Sequence, residues 1–361
     1  MISQSDLVRT WCPVCVCPVR DCRWNGEHPK SAAAVAADQI VESHLELDRH
    51  EDTYVRWPWP ALDALYGGMA PGQLHYVVGF SGLGKSTYIA SAIRRWVEQG
   101  RKVVVLPLEV KPHIFRTYLA CQDLGIDPGL MLSGDFLREP NAGELRERVK
   151  AQVQAQIKEP MLSRLTVHPA GNVQVSTLEQ AATIASEREA DVLVIDHVDH
   201  LEVDQSQRAS AYQTSREVNH AALRIAQDMN LLIVAMSQAN QEALRGTQDR
   251  LAKYEPLRDN HVLMGGHKRQ LASGMLGLYR PLLPPPEGGD AADYESWTQH
   301  ITKARKGEAE PQTALEPYVM GVNLMKSRSY GGREGQRVKL AWQAGRIVEH
   351  TPLPYSLRRV S

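Results

Sequence analysis

Apolar and polar positions change period several times along the chain, and those changes divide it into elements. Between residues 31 and 50, Ala33, Val35, Ala36, Ile40, Val41, Leu45 and Leu47 recur at mostly helical spacing among polar residues, which predicts a helix. Trp57-Pro58-Trp59-Pro60 then breaks the pattern and opens a main domain. From about residue 73, short apolar runs alternate with helical patterns. The runs at 74–79, 103–108, 164–168, 191–195, 231–236, 274–279, 318–325 and 336–342 predict strands. The patterns at 85–99, 112–124, 142–157, 177–189 and 213–229 predict helices between the earlier ones. Strands that alternate with helices and read as continuous apolar runs predict a mostly parallel sheet covered on both faces. The last two runs leave no room for a helix between them and predict a hairpin turning at Gly331-Gly332. Polar stretches at 203–212, 239–272 and 281–316 predict loops, the last holding Pro284-Pro285-Pro286 and Gly288-Gly289. Loops of that length in a compact domain are usually functional or disordered.

The chain has 361 residues, enough for one large α/β domain and a small appendage. Its 41 basic and 42 acidic residues balance, so no global basic field advertises a nucleic-acid partner, and any such contact must come from a local patch. No stretch approaches the roughly 20 apolar residues of a membrane span. The N-terminus carries Asp6 and then cysteines rather than a basic region and an apolar run, so no secretory signal is expected. These features predict a soluble, cytoplasmic protein with no membrane partner.

The run Gly79-Phe80-Ser81-Gly82-Leu83-Gly84-Lys85-Ser86 has the spacing of a phosphate-binding loop, set between an apolar strand and a helix. Gly79, Gly82 and Gly84 let the backbone turn tightly and aim its N–H groups, with those of Ser81 and Thr87, at phosphate oxygens. Lys85 is expected to reach the β- and γ-phosphates, and the Ser86 hydroxyl to hold Mg²⁺. The helix that follows adds its positive end to an ATP or GTP site. Asp191-Val192-Leu193-Val194-Ile195-Asp196 is a buried strand ending in a carboxylate. Ligands of parallel sheets bind beyond the carboxyl ends of strands, which places Asp196 as a second Mg²⁺ ligand, with Asp199 as the weaker candidate. Glu109 directly follows the strand at 103–108, where a carboxylate could polarise an attacking water; alone, a Glu at a strand end is more often a solvated turn residue. Gln238 ends another strand and could sense the γ-phosphate.

Together these residues resemble the RecA-like ATPase domain of the DnaB family of replicative helicases. The resemblance begins in the lead-in Trp59-Pro60-Ala61-Leu62-Asp63-Ala64-Leu65-Tyr66-Gly67-Gly68-Met69-Ala70-Pro71-Gly72-Gln73-Leu74. It continues through Leu108-Glu109, Ile195-Asp196, Ser237-Gln238-Ala239-Asn240 and Leu257-Arg258-Asp259 to Met325-Lys326-Ser327-Arg328, in order over roughly residues 55–345. It implies an ATP-dependent DNA helicase or translocase with Glu109 as catalytic base and Gln238 linking nucleotide state to DNA-binding loops. It also implies that Lys326 and Arg328 enter a neighbouring subunit's site, which requires a homo-oligomer, in this family a hexameric ring around single-stranded DNA. The loops at 203–212 and 239–272 would face the channel, with Arg245, Arg250, Lys253, Lys268 and Arg269 as candidate DNA contacts. Counting Arg258, the second loop holds six cations against Glu242, Asp249, Glu255 and Asp259, an excess of two that permits such contacts without demanding them. DnaB proteins carry a large helical N-terminal domain that contacts primase, whereas about 50 residues precede the ATPase domain here. A replication loader or primase is a candidate partner, and the helix at 31–54 a candidate linker that docks on a neighbouring subunit. The reading is therefore a Cys-rich segment at 1–30, a linker at 31–54 and a RecA-like P-loop domain at 55–361 with an insertion at 281–316.

Four of the five cysteines crowd into Cys12-Pro13-Val14-Cys15-Val16-Cys17-Pro18-Val19-Arg20-Asp21-Cys22. In a reducing compartment such a cluster points to metal, with Cys12, Cys15, Cys17 and Cys22, or three of these and His28, as candidate Zn²⁺ ligands. An iron–sulfur cluster and a flexible tail of reduced thiols are the other readings. Cys121, in an apolar helix, is expected to be core. The cluster also raises a rival, the RadA family, which joins a four-Cys finger to a RecA-like domain and would make this a recombination ATPase. An ATP-switched loader or remodeller on DNA, without unwinding, and a KaiC-type signalling ATPase complete the alternatives.

Overall fold

Nine strands hydrogen-bond into one sheet in the order β3-β2-β4-β5-β1-β6-β7-β8-β9. They are β1 (Leu74–Gly79), β2 (Val103–Pro107), β3 (Leu165–Val167), β4 (Val192–Asp196), β5 (Leu232–Gln238), β6 (Gly274–Tyr279), β7 (Val319–Ser327), β8 (Arg337–Gln343) and β9 (Arg346–Glu349). The structure, a computed structural model, describes residues 53–138, 140–158, 163–169, 173–203, 210–244, 248–263, 265–286, 291–328, 333–343 and 345–350. The expected helix at 31–50, the Cys12–Cys22 cluster and the Gly331-Gly332 turn lie outside these residues. β1 to β6 pair in parallel and β7 to β9 add on antiparallel, which is the mostly parallel, helix-covered α/β fold that the alternation predicts.

The helices are α1 (Pro60–Tyr66), α2 (Lys85–Glu98), α3 (Pro112–Leu124), α4 (Pro128–Ser133), α5 (Ala142–Lys158), α6 (Val175–Glu187), α7 (Ala211–Asp228), α8 (Gly265–Leu271) and α9 (Ala291–Lys306). Side chains alternate across a strand, so β1 feeds two cores at once. Val77 packs with α1, α2 and α3 through Leu62, Tyr88, Ile89 and Phe115, while Tyr76 and Val78 pack with α6 and α7 through Leu178, Ala181 and Ala222. Covering both faces is why β1, β2 and β4 are buried throughout and lack an alternating pattern. Cys121 is buried in α3, and burial pushes its thiol up to about 12.

Trp57 and Trp59 are buried against Tyr66, Tyr88 and Trp96. The Trp59 indole N–H donates to the Ile347 carbonyl at 3.0 Å, fastening the domain's entry to β9. Three sequence expectations change. β9 is a strand that four residues are too few to announce. The stretch at 281–316 is not a plain loop, because it holds α9, whose buried stripe is only Ile301 and Ala304, too narrow to show as a period. The stretch at 239–272 likewise holds α8, a polar helix fixed by ion pairing rather than by an apolar face.

Candidate functional site

β1 ends at Gly79 and α2 starts at Lys85, so residues 80–84 form the turn between them. Gly82 and Gly84 have φ of 78° and 88°, the left-handed region that costs any other residue energy. Lys85 is buried at the base of the turn, donating to the Gly79 and Phe80 carbonyls at 3.1 and 3.3 Å. Burial lowers its pKa, while Glu109, Asp196 and Asp199 pull it back up. Ser81 and Gly82 are exposed, Ser86 is half-buried and Thr87 is buried. The loop, the lysine and the acidic side chains thus share one end of the sheet.

That end is the carboxyl edge of the parallel strands. Asp196 closes β4 and is fully buried, and neither carboxylate oxygen has a hydrogen-bond partner of good geometry. Burial, then the Glu109 charge, pushes its pKa up to about 6, against the opposing pull of His197, Ser86 and Lys85. A buried carboxylate with two orphaned oxygens next to a half-buried serine hydroxyl suits a hard divalent cation such as Mg²⁺. The backbone N–H groups of Leu108 and Glu109 donate to the Asp196 carbonyl at 2.6 and 3.1 Å, which holds Glu109 beside it. The Glu109 side chain is 45% exposed, with Oε2 3.7 Å from His197 Nε2. β5 pairs directly with β1, setting Gln238 opposite Gly79. The Gln238 N–H donates to Asp199 at 2.7 Å.

The orphaned carboxylate has a measurable consequence. A rise from 3.8 to about 6 amounts to about 3 kcal/mol against the ionised form. The folded chain holds this proton more tightly than the unfolded chain, so the contribution is present below pH about 4 and is lost as pH rises through about 6. Asp196→Asn is therefore expected to raise the Tm by about 5 °C at pH 8 in the absence of Mg²⁺ and nucleotide. Thermal denaturation of the two proteins checks this, and an equal or lower Tm for the variant contradicts it.

Lys326 and Arg328 do not join this cluster. They lie at the end of β7, where Ser327 pairs with Gly274 and the Arg328 N–H donates to the Ser273 carbonyl at 3.0 Å. Ser273 in turn donates to Leu74, at the start of β1. Gly79 is five residues further along β1, about 17 Å at the rise of a strand. Lys326 donates to the Arg269 carbonyl, and the Arg328 guanidinium to the Gln270 carbonyl at 2.6 Å.

The candidate DNA contacts separate. Arg250 and Lys253 are exposed, and Lys253 lies over the Tyr254 ring. Lys268, expected at a DNA-facing surface, is instead fully buried and ion-paired to Asp199, because α8 turns it inward. Arg269 is half-buried and held by Asp259, Glu334 and the Met325 carbonyl. Arg245 and residues 204–209 lie outside the described residues.

Two further residues reach the site without a sequence signal. Trp342 of β8 lies against Gly84, so close that a Cβ there would meet its ring at 1.9 Å. Arg280, just past β6, sits over that ring with its guanidinium carbon 5.8 Å from the centroid. An indole and a guanidinium beside a phosphate loop offer flat surfaces for a nucleobase, but only the folding of β8 brings Trp342 there.

Among the described residues there is no group of three or more His, Cys, Asp or Glu side chains placed to hold a metal ion, and the four-cysteine set lies outside them. No helix among them is long and apolar enough to cross a membrane. Among solved structures, the chain is similar to a separately solved ATPase domain, with 15% identity and a TM-score of 0.63 over 87% of this chain and 98% of that one. It is also similar to a DnaB-like replicative helicase described with its interactions with primase, with 15% identity and a TM-score of 0.61 over 87% of this chain and 67% of that one. At such identity these likenesses concern the fold. No curated protein matches the chain. A family model for the DnaB-like helicase C-terminal domain matches residues 56–313, a stretch that contains Lys85, Glu109, Asp196 and Gln238 and stops before Lys326. With the sheet order, the phosphate loop and that match in agreement, the chain belongs to the family of DnaB-like helicase C-terminal domains.

Proposed function

We propose that the protein is an ATP-driven motor of DnaB type that moves on single-stranded DNA, with each nucleotide site completed by a neighbouring copy. The supporting observation is the split of its chemistry between two ends of one sheet. Lys85, Ser86, Asp196, Glu109 and Gln238 gather at the carboxyl edge, whereas Lys326 and Arg328 are held about 17 Å away along the strand direction. A guanidinium so placed serves another subunit's phosphates more readily than its own. A closed ring, in this family a hexamer, lets every site be finished in this way.

In the proposed reaction, Glu109 accepts a proton from water as its oxygen attacks the γ-phosphorus, and the bond to the β,γ-bridging oxygen breaks. Lys85 and the phosphate-loop N–H groups hold the phosphates, and Ser86 and Asp196 would hold Mg²⁺, which would neutralise phosphate charge. Arg328 of the neighbour, with Lys326, stabilises the charge that develops on the transferring group. Gln238, hydrogen-bonded through its backbone to Asp199, carries the nucleotide state toward the loop that follows β5. Arg250 and Lys253 on that loop, both exposed, would meet DNA phosphates. Trp342 and Arg280 stack on the base. Trp342→Ala is accordingly expected to raise KM for ATP about tenfold with kcat within about twofold, in steady-state phosphate-release assays. A fall in kcat at unchanged KM would contradict that role.

The reading is tested by strand displacement on forked duplexes of both polarities, with ATP hydrolysis measured with and without single-stranded DNA. Displacement coupled to DNA-stimulated hydrolysis is the expected result. DNA-stimulated hydrolysis without displacement would favour a loader or remodeller, and indifference of both hydrolysis and oligomeric state to DNA would sink the motor reading.

A further inference from the structure

α8 holds contacts to groups from both ends of the sheet. At its nucleotide end, Lys268 is completely buried, ion-paired to Asp199 and donating to Ser237 Oγ at 2.9 Å. Asp199 follows Asp196 in the turn Val198–His200 and accepts the Gln238 N–H, so one carboxylate joins the ends of β4 and β5 to the helix. His197 Nδ1 lies 3.5 Å from the same carboxylate, and the surrounding donors hold Asp199 well below the usual carboxylate range despite its burial. Ser237 pairs with Val78, one residue before the phosphate loop. At the opposite end, the helix leads through Ser273, level with Leu74, into β6. There its last carbonyls are occupied, Arg269 by the Lys326 ammonium and Gln270 by the Arg328 guanidinium. Lys268, Arg269 and Gln270 are consecutive, so contacts to both chemistries meet within one turn of α8.

A buried lysine is costly unless it is fully partnered, and here the partners are two groups at the strand ends that flank the nucleotide. The carbonyls that the two cationic side chains reach, those of Arg269 and Gln270, belong to the two residues directly following that lysine. We infer that Lys268 is a positioning residue for the trans-acting pair. Its ion pair with Asp199 sets the height of α8, so that Arg269 and Gln270 present Lys326 and Arg328 to the neighbouring site. A shift at Ser237 or Gln238 on nucleotide turnover then moves the pair a subunit offers to its neighbour. The inference rests on the reading of Arg328 as a residue that acts in trans, and it adds the element that ties that residue to its own subunit's nucleotide.

Mixed assemblies of full-length chains test it. One partner carries Lys85→Ala and supplies only the cationic pair; the other carries Arg328→Ala and supplies only the phosphate loop. Their mixture should hydrolyse ATP although neither does alone. Lys268→Met is then placed in one partner at a time, with thermal denaturation and oligomeric state recorded for each. In the pair donor it is expected to lower kcat about tenfold with KM for ATP unchanged; in the loop donor, less than about twofold. Ser237→Ala, which keeps the ion pair, should give the same asymmetry at about threefold and serves if Lys268→Met does not fold. A loss confined to the loop donor, a loss equal in both placements, or no loss in either overturns the inference while leaving the trans reading standing. A parent mixture no more active than its components overturns that reading, and the inference with it.

Discussion

Arg328→Ala is expected to lower the ATP turnover of the assembled protein about a thousandfold, with nucleotide affinity nearly unchanged. The magnitude follows from the role: a guanidinium that meets charge only as it develops lowers the barrier without contributing to ground-state binding. The location makes the effect separable. Arg328 leaves β7 beside Ser273, at the far end of the sheet from Lys85, so its removal leaves the subunit's own phosphate loop intact. Single-turnover hydrolysis with a parallel measurement of nucleotide binding checks the prediction. A variant that loses binding in proportion to turnover would show Arg328 acting on fold or assembly instead. Arg328→Lys should recover little, because an ammonium does not reproduce the planar fork.

The second large effect is at Lys85. Lys85→Ala should reduce hydrolysis to about one hundredth or less and remove any stimulation by single-stranded DNA. Its ammonium is held by the Gly79 and Phe80 carbonyls at the point where Asp196 and Glu109 also converge. Without it, a phosphate entering the site would meet two carboxylates with less opposing charge. Phosphate release with and without DNA measures the effect, and residual turnover above about a tenth of the parent would place the essential cation elsewhere. The two variants differ in a useful way. On the proposed reading Lys85→Ala should disable the subunit that carries it and Arg328→Ala its neighbour, so their mixture separates two roles that either variant alone would blur.

Much of the fold is legible in the sequence because its signals are local. The apolar runs that become β1, β2, β4 and β5 are short and continuous, and helices separate them. Burial on both faces is written in each run by itself. Elements held by a few polar contacts are not legible in this way. α9 buries only Ile301 and Ala304, and α8 is held by an ion pair, so neither imposes a period on its residues. The same division runs through the candidate site. Gly82 and Gly84 are required by the turn they occupy, and Asp196 and Glu109 follow from the rule that strand ends face the ligand. Trp342 has no comparable local reason to lie beside Gly84.

Lys268 states the boundary most clearly. In the sequence it is one cation among several in a polar stretch, and a solvated surface that meets DNA is the natural reading. In the structure it is sealed under α8 with a carboxylate 69 residues away in the chain. Charge patterning counts residues but does not say which way a helix turns them. By itself, then, the sequence determined the phosphate loop, the carboxylates at the strand ends and the parallel sheet, since backbone conformation and hydrophobic period act over a few residues. Only the tertiary structure decided that Lys326 and Arg328 stand at the far end of the sheet, that Trp342 covers the loop and that Lys268 is internal. Those outcomes depend on strand order, the antiparallel return of β7 and contacts between distant segments, and these form when the whole sheet closes over its two cores.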